Sequence, residues 1–141
     1  MDFSKKALKL AQEYEKILNH KPSKKSRTGS DFTTQSKYIE VKSFEKKSKY
    51  LHIYSTIFKH LSKTKFGFDR YYIYVVFDKK HPKMIIIPPN RIFRGINPRK
   101  LFDITLGDYW NYLSVNLSSK IYKGLKIIDL KEFFKKYRKL R

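Results

Sequence analysis

A chain of 141 residues has room for one domain with one hydrophobic core. Apolar residues make up 40% of it and aromatics 16%, which excludes a disordered basic tail. The 33 Lys and Arg outnumber the 12 Asp and Glu, and a net charge of +21 calls for a polyanionic partner, nucleic acid first and an anionic membrane surface second.

Along the chain, Ser4 to Asn19 reads as a helix capped by Ser4. Ala7, Leu10, Ala11, Tyr14, Ile17 and Leu18 form its apolar stripe. A basic loop follows, "HKPSKKSRTGS", broken by Pro22 and Gly29. Ser30 to Phe44 reads as a hairpin: "SDFT" as first strand, "TQS" as turn, "KYIEVKSF" as second strand. "EKKSKYLHIY" reads as strand or irregular chain, and Ser55 as the cap of a short helix from Thr56 to Lys63. Arg70 to Phe77, "RYYIYVVF", has the continuous apolarity of a central strand. "DKKHPK" is a turn, and "MIIIPP" a strand stopped by Pro88 and Pro89. Asn90 to Lys100 reads as a basic loop and "LGDYWNYLSVNL" as a helix starting near Asp108. Asp129 with Glu132 opens a C-terminal helix whose stripe is Leu130, Phe133, Phe134, Tyr137 and Leu140. This order predicts an α/β (α+β) domain, a mixed sheet flanked by helices, over residues 1–141. Its core spans about 4–117, with the basic helix at about 129–141.

Several chemistries are excluded early. With no cysteine there is no disulfide, zinc ribbon or thiol nucleophile. The longest apolar runs are strand-sized, so no membrane segment is expected. No signal peptide is recognisable, and an intracellular location is expected. His20, His52, His60 and His81 lack zinc-ligand spacing, and His81 reads as a turn residue. Trp110, with Tyr109 and Tyr112, reads as a core anchor before it reads as a base-stacking platform.

The charges are unevenly spread. Between Lys46 and Phe68 there are six lysines and two histidines but no acid, and from Lys79 to Phe102 there is again no acid. Two unopposed basic stretches suit phosphate contact from two sides of a groove. The few carboxylates then become informative, because a carboxylate near phosphate repels it unless a cation lies between. Asp31 and Glu40 are flanked by Lys24, Lys25, Arg27, Lys37, Lys42, Lys46 and Lys47.

In a strand, residues two apart share a face, so Tyr38, Glu40, Lys42 and Phe44 point one way. By itself Glu40–Val41–Lys42 is ordinary surface charge on a solvated strand. Asp31 changes this, since a hairpin brings it back towards Glu40. Two carboxylates and the carbonyl of Val41 supply the hard oxygen ligands that Mg²⁺ or Mn²⁺ takes, alongside waters and substrate phosphate. Lys42 beside them can orient an attacking water or neutralise charge on the phosphate.

A helix bearing glutamate, then Gly29-Ser30-Asp31, then "YIEVKSF", a helix, "YYIYVVF" and "MIIIPPNRIF" resembles the PD-(D/E)XK nuclease superfamily. The resemblance covers Leu8 to about Asn116. It implies a restriction-endonuclease-like core and metal-dependent hydrolysis of phosphodiester bonds. Asp31, Glu40 and Lys42 match its motif. The family's additional helix glutamate would be Glu13 or Glu15, which lie on opposite sides of the apolar stripe; Glu13 is preferred. Ser30 stands where the family has proline, and the connection from Asp31 to Glu40 is short. The expected function is thus a Mg²⁺-dependent endodeoxyribonuclease acting on duplex or branched DNA such as a Holliday junction, as a homodimer. The rivals are a non-catalytic nucleic-acid-binding protein and a binder of acidic surfaces.

Overall fold

The computed structural model describes residues 2–22, 30–45, 50–54, 61, 67–93, 112–116 and 124–139. Among these the protein is mixed α/β. Helix α1 is Phe3–Ile17. Strands β1 (Phe32–Thr33), β2 (Tyr38–Phe44) and β3 (Tyr50–Tyr54) follow. A 3₁₀ turn at Phe68–Arg70 leads into β4 (Tyr71–Phe77). Next come β5 (Lys83–Ile87), the one-turn helix α2 (Pro89–Ile92) and β6 (Tyr112–Asn116). The last elements are β7 (Ile127–Asp129) and α3 (Leu130–Lys139).

Five strands form one sheet in the order β1-β2-β4-β5-β7, and β3 pairs with β6 in a second, two-stranded sheet. The main sheet is mixed. β2 and β4 run parallel, with Tyr38 opposite Tyr71 and Glu40 opposite Ile73. The other neighbours are antiparallel. Parallel neighbours need a crossover, and the chain from Phe44 to Tyr71 supplies it.

β4 is central, and its continuous apolarity follows from burial on both faces. Its odd-numbered residues Tyr71, Ile73, Val75 and Phe77 pack with Leu51, Leu61, Phe68, Ile85, Ile87, Ile92 and Phe93. Tyr74 and Val76 point the other way, into Phe3, Ala7, Ala11, Phe32, Ile39, Met84, Leu130 and Phe134. Ala7 and Ala11 are fully buried, and their small side chains let α1 lie close on the sheet. Helix α3 joins the same layer: the Phe133 ring is 4.6 Å from that of Tyr14. Each face of the sheet thus has its own core, α1 covers only one of them, and the alternation of β2 decides which residues meet it.

Several boundaries differ from the sequence reading. Asp2, not Ser4, caps α1: its carboxylate accepts from the backbone N–H and the hydroxyl of Ser4. An anionic side chain at a helix N-terminus also suits the helix dipole. Helix α1 stops at Ile17, where Asn19 takes a left-handed φ of 63°. The N–H of Asn19 bonds to the Lys16 carbonyl and that of His20 to the Glu15 carbonyl, a Schellman pair. At the other end, Asp129 Oδ1 accepts from Glu132 N–H, so the capping expected for the C-terminal helix is present.

The helix expected from Asp108 is corrected over its second half. Tyr112–Asn116 is strand β6, in register with β3 from Tyr50↔Asn116 to Tyr54↔Tyr112. A partner distant in sequence outweighed the local pattern. The expected helix from Thr56 to Lys63 lies outside the described residues except for buried Leu61. Trp110, most of the first basic stretch and the end of the second also lie outside them. No helix among the described residues is long and apolar enough to cross a membrane.

Candidate metal centre

The hairpin of β1 and β2 is closed by Thr34 N–H donating to the Lys37 carbonyl at 2.9 Å. Its register sets Phe32 opposite Ile39 and Thr33 opposite Tyr38, so Asp31 falls opposite Glu40. Asp31 N–H donates to the Ile39 carbonyl at 2.9 Å. β1 pairs no further than this. There the Asp31 side chain takes over the ladder: Val41 N–H donates to its Oδ2 at 2.6 Å. In an antiparallel ladder the N–H and C=O of one residue point to the same edge. The Val41 carbonyl therefore faces the same side as the Asp31 carboxylate.

Glu40 sits on the sheet face of Tyr71 and Ile73, with its side chain 13% exposed. Burial first, and the Asp31 charge second, push its pKa up to about 8; Lys42 pulls it down, and a hydrogen bond with Asp31 adds to the rise. Near neutral pH Glu40 therefore keeps its proton. Lys42 Nζ lies 3.9 Å from Glu40 Oε1, on the same face, with its side chain 21% exposed. A hydroxyl completes the surroundings: Tyr71 OH is buried and has no hydrogen-bond partner among the described residues.

These residues fit a hard divalent cation. Two neighbouring carboxyl groups present oxygen donors, and a metal could take the place of the Glu40 proton. No group of three or more His, Asp or Glu that could hold a metal ion occurs among the described residues. A site built on one or two carboxylates, with water filling the remaining positions, is the usual form for Mg²⁺.

The fit has a pH signature. Binding must displace the proton on Glu40, whose pKa is raised to about 8. Mg²⁺ affinity is expected to rise about tenfold per pH unit up to about pH 8 and then level off. Calorimetric titrations at pH 6.5, 7.5 and 8.5 measure this; a flat profile would mean that Glu40 is no ligand.

The helix glutamates lie elsewhere, which corrects the expectation that Glu13 joins the site. Helix α1 packs on the face of Ile39 and Tyr74, whereas Glu40 points to the other. Glu13 is half-buried on that helix and forms no cluster with Asp31 and Glu40. Glu15 is 0% exposed and occupied by other partners. Its Oε1 accepts from Tyr74 OH and, at 3.3 Å, from Lys37 Nζ, and its Oε2 meets the His20 ring. Lys37 Nζ also bonds Tyr74 OH at 3.0 Å and lies 5.1 Å from the Tyr72 ring centroid. This buried network ties the end of α1 to the hairpin turn and to β4. Sequence reasoning did not find it, although Glu15 continues the four-residue step of Ala7 and Ala11.

No protein-family model matches the chain, and no curated protein or solved structure matches it either.

Proposed function

We propose that this protein is a divalent-metal-dependent endodeoxyribonuclease of the PD-(D/E)XK kind, with Asp31, Glu40 and Lys42 as its catalytic residues. The observation that carries this reading is the hairpin register, which sets Asp31 opposite Glu40 with the Lys42 ammonium 3.9 Å from the Glu40 carboxyl group. Asp31, Glu40 and the Val41 carbonyl would hold Mg²⁺ or Mn²⁺. A bound cation lowers the pKa of water and stabilises charge on a phosphodiester. Lys42 contributes a positive charge where negative charge grows as a water oxygen attacks phosphorus. One ester oxygen leaves and takes up a proton, so the strand is cut by hydrolysis.

DNA is the proposed substrate because the chain carries +21 and the acidic pair would otherwise repel phosphate. A homodimer would let two such sites meet the two strands of a duplex or a branched junction. The restriction-endonuclease-like core belongs to this proposal, and the mixed sheet with helices is compatible with it.

The test compares plasmid, linear duplex and a four-way junction, each with Mg²⁺ or Mn²⁺, for the wild type and the Asp31→Ala and Glu40→Ala variants. Metal-dependent cutting lost in both variants supports the nuclease. Tight DNA binding with no cutting in any metal would instead make the protein a non-catalytic binder. In either case the affinity should be strongly salt-dependent. Contact with six to ten phosphates would lower it by a factor of about 10³ or more between 50 and 200 mM salt. Fluorescence anisotropy across that range measures the slope, and a shallow slope would argue against a phosphate-binding surface.

A further inference from the structure

We propose that Tyr71 is a further member of this site, its phenol O–H donating to a hydration water of the divalent cation that Asp31 and Glu40 would hold. The proposal rests on the metal-site reading above.

β4 carries two buried tyrosines, and their hydroxyls have opposite fates. Tyr74 points to the α1 side, where Glu15 and Lys37 satisfy its hydroxyl. Tyr71 points to the Glu40 side, where its hydroxyl is buried and lacks a partner among the described residues. Tyr71 itself is 0% exposed. A buried hydroxyl without a hydrogen bond is destabilising compared with the same ring bearing none, so packing alone would favour phenylalanine. Packing does account for the ring, which lies 6.2 Å from that of Phe93 in the apolar cluster. It does not account for the oxygen.

The register shows what the oxygen is near. Tyr71 lies opposite Tyr38, and Ile73 opposite Glu40, so Tyr71 and Glu40 are diagonal neighbours on one face of parallel strands. Burial, then the charge of Glu40, then that of Asp31 hold the phenol well above its ordinary pKa. Both carboxyl groups are thus within electrostatic range of the hydroxyl, and the phenol stays a donor. Being fully buried, it is screened from a DNA backbone lying across the surface. Its ligand must be small and polar. Mg²⁺ retains several waters when it binds to few carboxylates, and such a water meets this description. Groups that bond to metal-bound ligands in this way commonly raise metal affinity by ten- to a hundredfold.

Tyr71→Phe separates this role from a structural one. Thermal unfolding of the metal-free variant and calorimetric titration with Mg²⁺ and Mn²⁺ are measured beside the wild type and Glu40→Gln. The expected result is a metal-free melting temperature equal to the wild type's or higher, with cation affinity weakened about tenfold. Unchanged affinity overturns the proposal, and so does a lower metal-free melting temperature, which would mean that the hydroxyl is already bonded in the fold. If the wild type binds cation and Glu40→Gln does not, while Tyr71→Phe binds like the wild type, only the tyrosine's role fails. If the wild type binds neither cation, the metal site itself is wrong and the tyrosine's role falls with it.

Discussion

Glu40→Gln is expected to lower metal-dependent DNA cleavage by at least about a thousandfold while leaving DNA affinity in the absence of metal within about twofold. Asp31→Asn should act alike. Neither neutral amide can replace a proton with a cation, and neither removes a positive charge from the surface that meets phosphate. The same Glu40 variant should also be more stable than the wild type when both are metal-free at alkaline pH. The folded pKa of Glu40 is raised to about 8, from an ordinary 4.5. A group raised in the fold favours folding fully at pH values below its unfolded pKa, and that contribution is lost as pH rises through the folded value. Between pH 4.5 and about 8 the wild type therefore loses about 1.4 kcal/mol per pH unit from this one residue, and glutamine loses nothing. Urea unfolding in chelator at pH 5, 7 and 9 measures the divergence. Parallel profiles would show that Glu40 titrates normally and that the acidic pair is not strained by proximity. Loss of activity combined with gain of metal-free stability is the pattern of a residue kept for chemistry.

Glu15→Ala should destabilise the fold by about 3–5 kcal/mol, or roughly 10–20 °C in melting temperature. The Glu15 carboxylate has no exposure and receives Tyr74 OH, Lys37 Nζ and the His20 ring. Removing it leaves the Lys37 ammonium, 19% exposed, without its counter-charge and the buried Tyr74 phenol without its acceptor. Glu15→Gln should cost less, because its amide oxygen still accepts one of these bonds. It should bind Mg²⁺ like the wild type at a temperature where both are folded. Loss of metal binding in Glu15→Gln with unchanged stability would reverse the assignment and make Glu15 the helix carboxylate of the site. The two glutamates thus divide the labour across one sheet: Glu40 faces the candidate metal centre, and Glu15 locks α1 to the hairpin that carries Asp31.

What the sequence made legible follows from distance along the chain. The period of two in Tyr38 to Phe44 placed Glu40 and Lys42 on one face without any partner being known. The hairpin put Asp31 opposite Glu40, because a short turn fixes register. The apolar run of Tyr71 to Phe77 marked the central strand, since only a strand covered on both faces reads that way. Features that depend on distant partners were not legible. Tyr112–Asn116 became a strand by pairing with Tyr50–Tyr54, some sixty residues earlier. The burial of Glu15 depends on Lys37 and Tyr74, and nothing within α1 indicates that either reaches it. The choice of Glu13 failed because the apolar stripe shows that α1 packs on a sheet but not on which face. Tyr71 was hidden for the opposite reason: inside "YYIYVVF" it reads as one more apolar strand residue, and only its position relative to Glu40 makes its hydroxyl informative.

A crystal of the protein grown with Mn²⁺ and measured for anomalous scattering tests the metal-site claim most directly. A peak is expected within about 2.2 Å of one carboxylate oxygen from each of Asp31 and Glu40, on the side that the Val41 carbonyl faces. At millimolar Mn²⁺ and pH 8.5, a peak held by other residues, or no peak at Asp31 and Glu40, would contradict it.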